Sequence, residues 1–161
     1  MTAVLAVAPV VVALDQIVKA MVLARLALGV PVPIIEGLLS FTLVMNPGLA
    51  FGLLGGLPTA WRWLVALLSI AALLILARVA VRVLAEGSRV DTIAIGLVFG
   101  GAVGNLIDRA RFGAVVDFVD VYFRGFHWWA FNVADSAITA GVAMLALRLI
   151  VRPASEAASR A

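Results

Sequence analysis

Four long apolar stretches run along the chain, separated by shorter segments where polar residues gather. The first covers about residues 4–26 and carries Asp15 and Lys19 inside it. The second covers about 60–82. Its stretch from Trp63 to Ala77 has no charge, with Trp61 and Trp63 at one end and Arg78 and Arg82 at the other. The third covers about 91–109. It is charge-free from Thr92 to Ile107 and closes on Asn105, Asp108 and Arg109. The fourth covers about 128–150 and passes Asp135 early. Each approaches the ~20 apolar residues that cross a bilayer as a helix. The pattern predicts an all-α polytopic membrane protein, residues 1–161 as a single domain with four transmembrane helices. The first basic residue is Lys19, inside the apolar run, so a retained span is expected rather than a cleaved leader.

The connections differ in character. Residues 27–59 carry Glu36 as their only charge. Pro31 and Pro33 favour extended backbone, Phe41 to Met45 reads as a short strand, and Gly48, Gly52, Gly55 and Gly56 supply turns. An aqueous loop would be less apolar, so a small β-rich platform on the outer leaflet is expected there. Residues 110–127 are expected to form an outer loop. Orientation follows the basic residues. Arg78, Arg82 and Arg89 mark the second connection, and Arg148, Arg152 and Arg160 the tail, as cytoplasmic. Both termini are then cytoplasmic. Arg109, Arg111 and Arg124 fall on the outer side against this rule, which suggests a task for them other than setting topology.

Composition sharpens the class. Hydrophobic residues make up 65% and charged residues 13%; mean hydropathy is +1.17. Those values exclude an ordinary soluble domain and a disordered chain. The formal charge is +3, with no basic cluster dense enough for nucleic acid. There is no cysteine and one histidine, His127, so thiolate chemistry is excluded and a histidine-rich metal site or a His-dependent triad is not expected. No metal or other cofactor is expected, and the chain is expected to act as a monomer among membrane phospholipids.

The polar residues then need an explanation, because each costs on the order of 2.5–3.5 kcal/mol inside a bilayer. In an up-down arrangement, the outer end of span three lies level with the start of span four. Asn105, Asp108, Arg109, Asn132 and Asp135 share that depth. Asp117, Asp120 and Asn46 lie in connections on the same side, and Asp15 and Lys19 sit midway to outer along span one. Asp15 and Lys19 are an i, i+4 pair with the acid first, the favourable order. Asp108 beside Arg109 reads as an interfacial ion pair, His127 as an interfacial residue between aromatics. Gly96, Gly100, Gly101 and Gly104 read as a close-packing surface. Two carboxylates held close cannot both stay ionised, and such a pair can activate water and protonate a carbonyl. The Asp-Thr-Gly of soluble aspartic proteases is absent; Asp91-Thr92-Ile93 departs from it on the cytoplasmic side. Spacing alone leaves open which two of Asp108, Asp117, Asp120 and Asp135 pair.

Five blocks settle that choice by resemblance: Asp15–Lys19 (DQIVK), Asn46–Gly52 (NPGLAFG), Gly100–Arg109 (GGAVGNLIDR), Val115–Phe118 (VVDF) and Phe131–Gly141 (FNVADSAITAG). In this order, on four predicted spans, they resemble the lipoprotein signal peptidases, the bacterial signal peptidase II family. Leu49 and Gly52 depart from the family's more usual small residue and Ser. The resemblance implies a membrane aspartyl endopeptidase with Asp117 and Asp135 as catalytic dyad. It implies that Asn46, Gly48, Asn105, Arg109 and Asn132 support the dyad or hold the substrate backbone, and that Asp15 and Lys19 brace the site. The implied substrates are diacylglyceryl-modified prolipoproteins, cut just before the lipidated Cys. The implied place is the bacterial cytoplasmic membrane, with the active site near the outer face. A small proton or ion transporter and a non-catalytic membrane scaffold are the competing readings; a transport path would spread polar residues across the full thickness.

Overall fold

The computed structural model describes residues 2–48, 58, 62–86 and 88–158. The departures at Leu49 and Gly52, and Trp61, lie outside the described residues. The described residues form four helices: α1 (Thr2–Arg25), α2 (Arg62–Glu86), α3 (Arg89–Phe112) and α4 (Val133–Ala158). Between them run four strands, β1 (Pro31–Ile35), β2 (Leu39–Asn46), β3 (Val115–Phe123) and β4 (Phe126–His127). The strands form one antiparallel sheet in the order β1-β2-β3-β4. The β platform was expected in the first connection alone. Instead each of the two connections contributes two strands. The physical reason lies in Val115 to Phe123, a run of β-branched and aromatic residues interrupted by two acids, whose strand propensity outweighs the polar interruptions.

α3 is the central helix and packs against α1, α2, α4 and β3. Its ends are well defined. Ser88 and Asp91 form a reciprocal capping box at the start. Gly113 closes the other end in the left-handed conformation, donating its N–H to the Arg109 carbonyl at 3.0 Å. The expected glycine surface does pack closely. A Cβ on Gly100 would lie 2.7 Å from the Ala8 carbonyl oxygen of α1. One on Gly101 would overlap the Ala134 carbonyl of α4, and one on Gly104 would lie 2.6 Å from Asp15 Oδ2. Small residues therefore let three helix backbones approach a common line. In exchange, large apolar side chains point outward: Val10, Leu14 and Ile17 on α1, Leu74 and Ile75 on α2, Leu147 and Ile150 on α4. Among the described residues, two helical segments, Ala6–Arg25 and Arg89–Phe112, are long and apolar enough to cross a membrane, and the apolar run in α2 is shorter, Trp63–Arg78.

Two details of the sheet position the site. The β3–β4 hairpin closes through Arg124 and Gly125, both at positive φ, with Phe123 paired to Phe126; this is the two-residue turn that fits strand twist. In β2 the register shifts between Phe41 and Val44. Phe41 faces Val119, yet Val44 faces Asp117 and Asn46 faces Val115. Because side chains alternate with period two, the one extra residue turns Val44 and Asn46 to the face that bears Asp117. Without the bulge, Asn46 would point to the opposite face. The Leu43 carbonyl at the bulge accepts the Gly29 N–H at 2.9 Å.

Candidate active site

The residues singled out from the sequence converge where the sheet meets the ends of α1 and α3 and the beginning of α4. Lys19 is the hub. Its ammonium is 2.8 Å from Asp15 Oδ2 and 2.7 Å from Asp108 Oδ2, and it donates to Asn105 Oδ1 at 2.9 Å. Three N–H groups meet three acceptors, so the buried cation is fully used. The two acids are shared onward. Asp15 Oδ1 accepts the Ala134 N–H at 2.9 Å, which satisfies a free donor in the first turn of α4. Asp108 Oδ2 accepts the Val116 N–H of β3 at 3.1 Å. The cluster thus ties α1, α3, α4 and β3 together. Asp108 was expected to pair with its neighbour Arg109 and does not. Adjacent helix residues point about 100° apart, so Asp108 turns to Lys19 while Arg109 reaches the loop after β2.

Gln16 was missed by the sequence reading. Its Nε2 donates to Asp108 Oδ1 at 2.9 Å and to the Gly104 carbonyl at 3.2 Å. An uncharged residue beside Asp15 carries little signal, although its place one residue after an acid inside an apolar run could have marked it.

A second layer is built from amides. Asn132 caps α4: its Oδ1 accepts the Asp135 N–H at 2.8 Å, the position-three bond of an N-cap. Phe131 continues the extended chain through a bridge to Val119, so α4 starts at Val133 rather than near Trp128. The Asn132 Nδ2 donates to Asp117 Oδ1 at 2.7 Å and to Asn105 Oδ1 at 3.1 Å. Asn105 Nδ2 in turn donates to Asp135 Oδ1 at 2.7 Å. Asn46 Nδ2 donates to Asp117 Oδ2 at 3.0 Å, and its Oδ1 accepts the Gly48 N–H at 2.9 Å. Arg109 donates through Nη2 to the Gly48 carbonyl at 2.7 Å and through Nη1 to the Asn105 carbonyl at 3.2 Å. Its Nε is the one buried side-chain polar atom without a hydrogen-bond partner among the described residues.

Asp117 and Asp135 therefore stand on one amide frame, each carboxylate held by asparagine donors. Asp117 is 1% exposed. Burial, reinforced by the charge of Asp135, pushes its carboxyl up to about 7, against the pull of the Asn46 and Asn132 bonds and of Lys19. An acid that holds its proton near neutrality beside another acid can donate that proton while its neighbour accepts one. Asp120 is committed elsewhere. It lies on the other face of β3 and accepts from Ser40 Oγ at 3.3 Å, with His127 Nδ1 at 3.0 Å. His127 is exposed and stacks on Tyr122, 5.2 Å between ring centroids. A cavity of about 110 Å³ opens beside Arg109, walled by Pro47, Trp63, Val65 and Ala66.

Comparison with known proteins gives the class first. Two solved structures described as bacterial membrane enzymes share the fold. One superposes with a TM-score of 0.80 at 28% identity, covering 96% of this chain and 92% of the other. The second gives 0.73 at 29% identity, covering 92% and 93%. The protein is a bacterial membrane enzyme by fold. The profile of signal peptidase (SPase) II matches residues 7–151. The lipoprotein signal peptidase of Desulforapulum autotrophicum is 44% identical over 146 residues, 89% of each chain. That of Geobacter sulfurreducens is 44% identical over 137 residues, 85% of this chain and 84% of the relative. The chain belongs to the signal peptidase II family of aspartic-type peptidases.

Proposed function

We propose that the protein removes signal peptides from diacylglyceryl-modified prolipoproteins by cutting just before the lipidated Cys, with Asp117 and Asp135 as the catalytic dyad. The observation that carries the assignment is the shared amide frame around two acids, in which Asn132 holds Asp117 and Asn105 holds Asp135. Asp135, ionised, takes a proton from water as the water oxygen attacks the scissile carbonyl carbon. Asp117 gives its proton to the carbonyl oxygen, and a neutral gem-diol forms. The diol returns its hydroxyl proton to Asp117 as the C–N bond breaks, and Asp135 passes its proton to the departing amine. The dyad is then as it began. Arg109 Nε, unpartnered among the described residues, offers a donor to a substrate carbonyl, and Asn46 and Asn132 keep Asp117 oriented.

In this reading all four helices cross the cytoplasmic membrane, both termini lie inside, and the sheet rests on the outer leaflet. Exposed Phe123, Phe126, Trp128 and Trp129 support that placement, since aromatic side chains favour the membrane interface. A signal peptide enters from the lipid as an apolar helix, and its lipidated Cys fixes the scissile bond at the depth of the dyad. The test is cleavage of a diacylglyceryl-modified precursor peptide by the purified protein. Asp117→Asn and Asp135→Asn should each abolish cleavage while leaving membrane insertion intact, and Asp120→Asn should keep most activity. Near wild-type processing by either dyad variant would defeat the assignment.

A further inference from the structure

A second cavity lies on the other side of Lys19, away from the dyad. It measures about 350 Å³ and opens between the last turns of α1 and α3, within the roughly 300–1,000 Å³ of small-molecule sites. Ala20, Leu23 and Ala24 form one wall, Phe112 the other, and Arg111 stands at the rim. The floor is Lys19 with Asp108, an ion pair already engaged within the hub. Arg111 is the unexplained member. Among the described residues it has no carboxylate partner; it makes one long bond, 3.4 Å to Gln16 Oε1, and lies 4.9 Å over the Phe112 ring. A guanidinium has five N–H donors in a rigid fork suited to phosphate. Its place in the last turn of α3 favours a cation, yet that interaction leaves the outward donors unused.

Depth identifies the occupant. The rise along α3 from Asp91, held by Arg148 at one end, to Arg111 at the other is about 30 Å at ~1.5 Å per residue. That matches the ~30 Å hydrocarbon core of a bilayer. Arg111 therefore stands at the edge of the hydrocarbon core, its long side chain within reach of the lipid phosphates. α1 runs beside α3 in register, Asp15 against Gly104 and Lys19 against Asp108, so Leu23 and Ala24 share the level of Arg111 and Ala20 lies slightly deeper. We propose that this groove is a phospholipid site, with Arg111 on the phosphodiester and Leu23, Ala24 and Phe112 against the glycerol region. The site rests on the membrane placement of α3, and does not depend on the dyad assignment. Its occupant would connect to the catalytic centre through Gln16, which touches Asp108 and the Gly104 carbonyl behind the hub.

The experiment uses the purified full chain, delipidated in a neutral detergent, with three probes: phosphatidylglycerol, diacylglycerol and inorganic phosphate. Binding is read by native mass spectrometry and by the thermal midpoint. Phosphatidylglycerol should bind and raise the midpoint, and the other two should not. Arg111→Gln should weaken phosphatidylglycerol binding about tenfold or more, the loss of a charged hydrogen-bond pair. Ala24→Leu, which fills the groove and keeps the charge, should weaken it as well. Arg111→Lys should keep part of the binding, which separates loss of a phosphate partner from loss of fold. Equal phosphatidylglycerol affinity in wild type and Arg111→Gln would overturn the proposal. So would diacylglycerol binding as tightly as phosphatidylglycerol, which means apolar contact only, or inorganic phosphate giving the same protection in wild type and Ala24→Leu, which means a free-anion site.

Discussion

Lys19 touches two carboxylates, so one cation sits with two potential negative charges in a nearly dry place. The arrangement is tolerable because the remaining lone pairs meet the Ala134 and Val116 N–H groups and the Gln16 amide. Removing the ammonium leaves those acids without a counter-charge. Lys19→Met should therefore destabilise the protein by about 3–5 kcal/mol, the usual cost of breaking a buried pair from one side. Adding Asp15→Asn to that variant should recover part of the loss, as read by unfolding in mixed micelles. Asp117 has the opposite economy. Its carboxyl is raised in the folded protein from an ordinary value near 3.8 to about 7. Between those values the folded state binds more protons than the unfolded state, so stability falls as pH rises through that window. At about 1.4 kcal/mol per unit the full loss approaches ~4 kcal/mol. The thermal midpoint of the wild type should drop from pH 5 to pH 8, and Asp117→Asn should flatten that slope. A parallel slope in the variant would place the titration elsewhere. Cleavage, if Asp117 supplies the proton, should decline above about pH 7.

At the scale of elements, glycines and a bulge do what no polar residue could. Gly101 lies where a Cβ would overlap the Ala134 carbonyl, so Gly101→Val must push α4 from α3. Ala134 is also the residue whose N–H meets Asp15. The variant should lose about 1–3 kcal/mol or more from overpacking and lose cleavage along with it, measured as folded, monodisperse protein and as activity. The four helices and the gathering of polar residues at one end of them were legible in the sequence, because apolar run length and acids within apolar runs are one-dimensional signals. The shared sheet was not. Val115 to Phe123 holds two acids, which disguised a strand as a loop, and strand partners separated by α2 and α3 leave no local trace. The bulge that aims Asn46 at Asp117 was equally hidden, since register depends on the partner strand. Choosing Asp117 over Asp120 came from the family resemblance. On the strand the two acids differ in parity: three residues apart, they face opposite sides, and Asp120 is taken by Ser40 and His127.

On the scale of the whole molecule, charge and shape give one end of the bundle a separate chemistry. Asp91 and Arg148 pair at the α3 start, 2.6 Å apart, and the hub, the amide frame and the sheet all gather at the other end. An ion path would need polar steps between these ends, and the middle of α3 is instead glycine, alanine, aliphatic residues and Phe99. A site at one face is what a peptidase needs if its scissile bond is held at an interface and water arrives from one side. The orientation can be tested directly because the natural chain has no cysteine. Glu36 lies in the β1–β2 turn and Arg89 at the first residue of α3, so they mark the two ends. In intact spheroplasts, a membrane-impermeant maleimide should label Glu36→Cys at once. Arg89→Cys should stay unlabelled until the membrane is opened. The basic residues of the second connection argue for this direction, and Arg109 and Arg111 do not oppose it if each has an anionic or carbonyl partner at the outer face. Labelling of Arg89→Cys in sealed spheroplasts would invert the molecule and put the dyad on the cytoplasmic side, out of reach of a lipoprotein precursor presented at the outer leaflet.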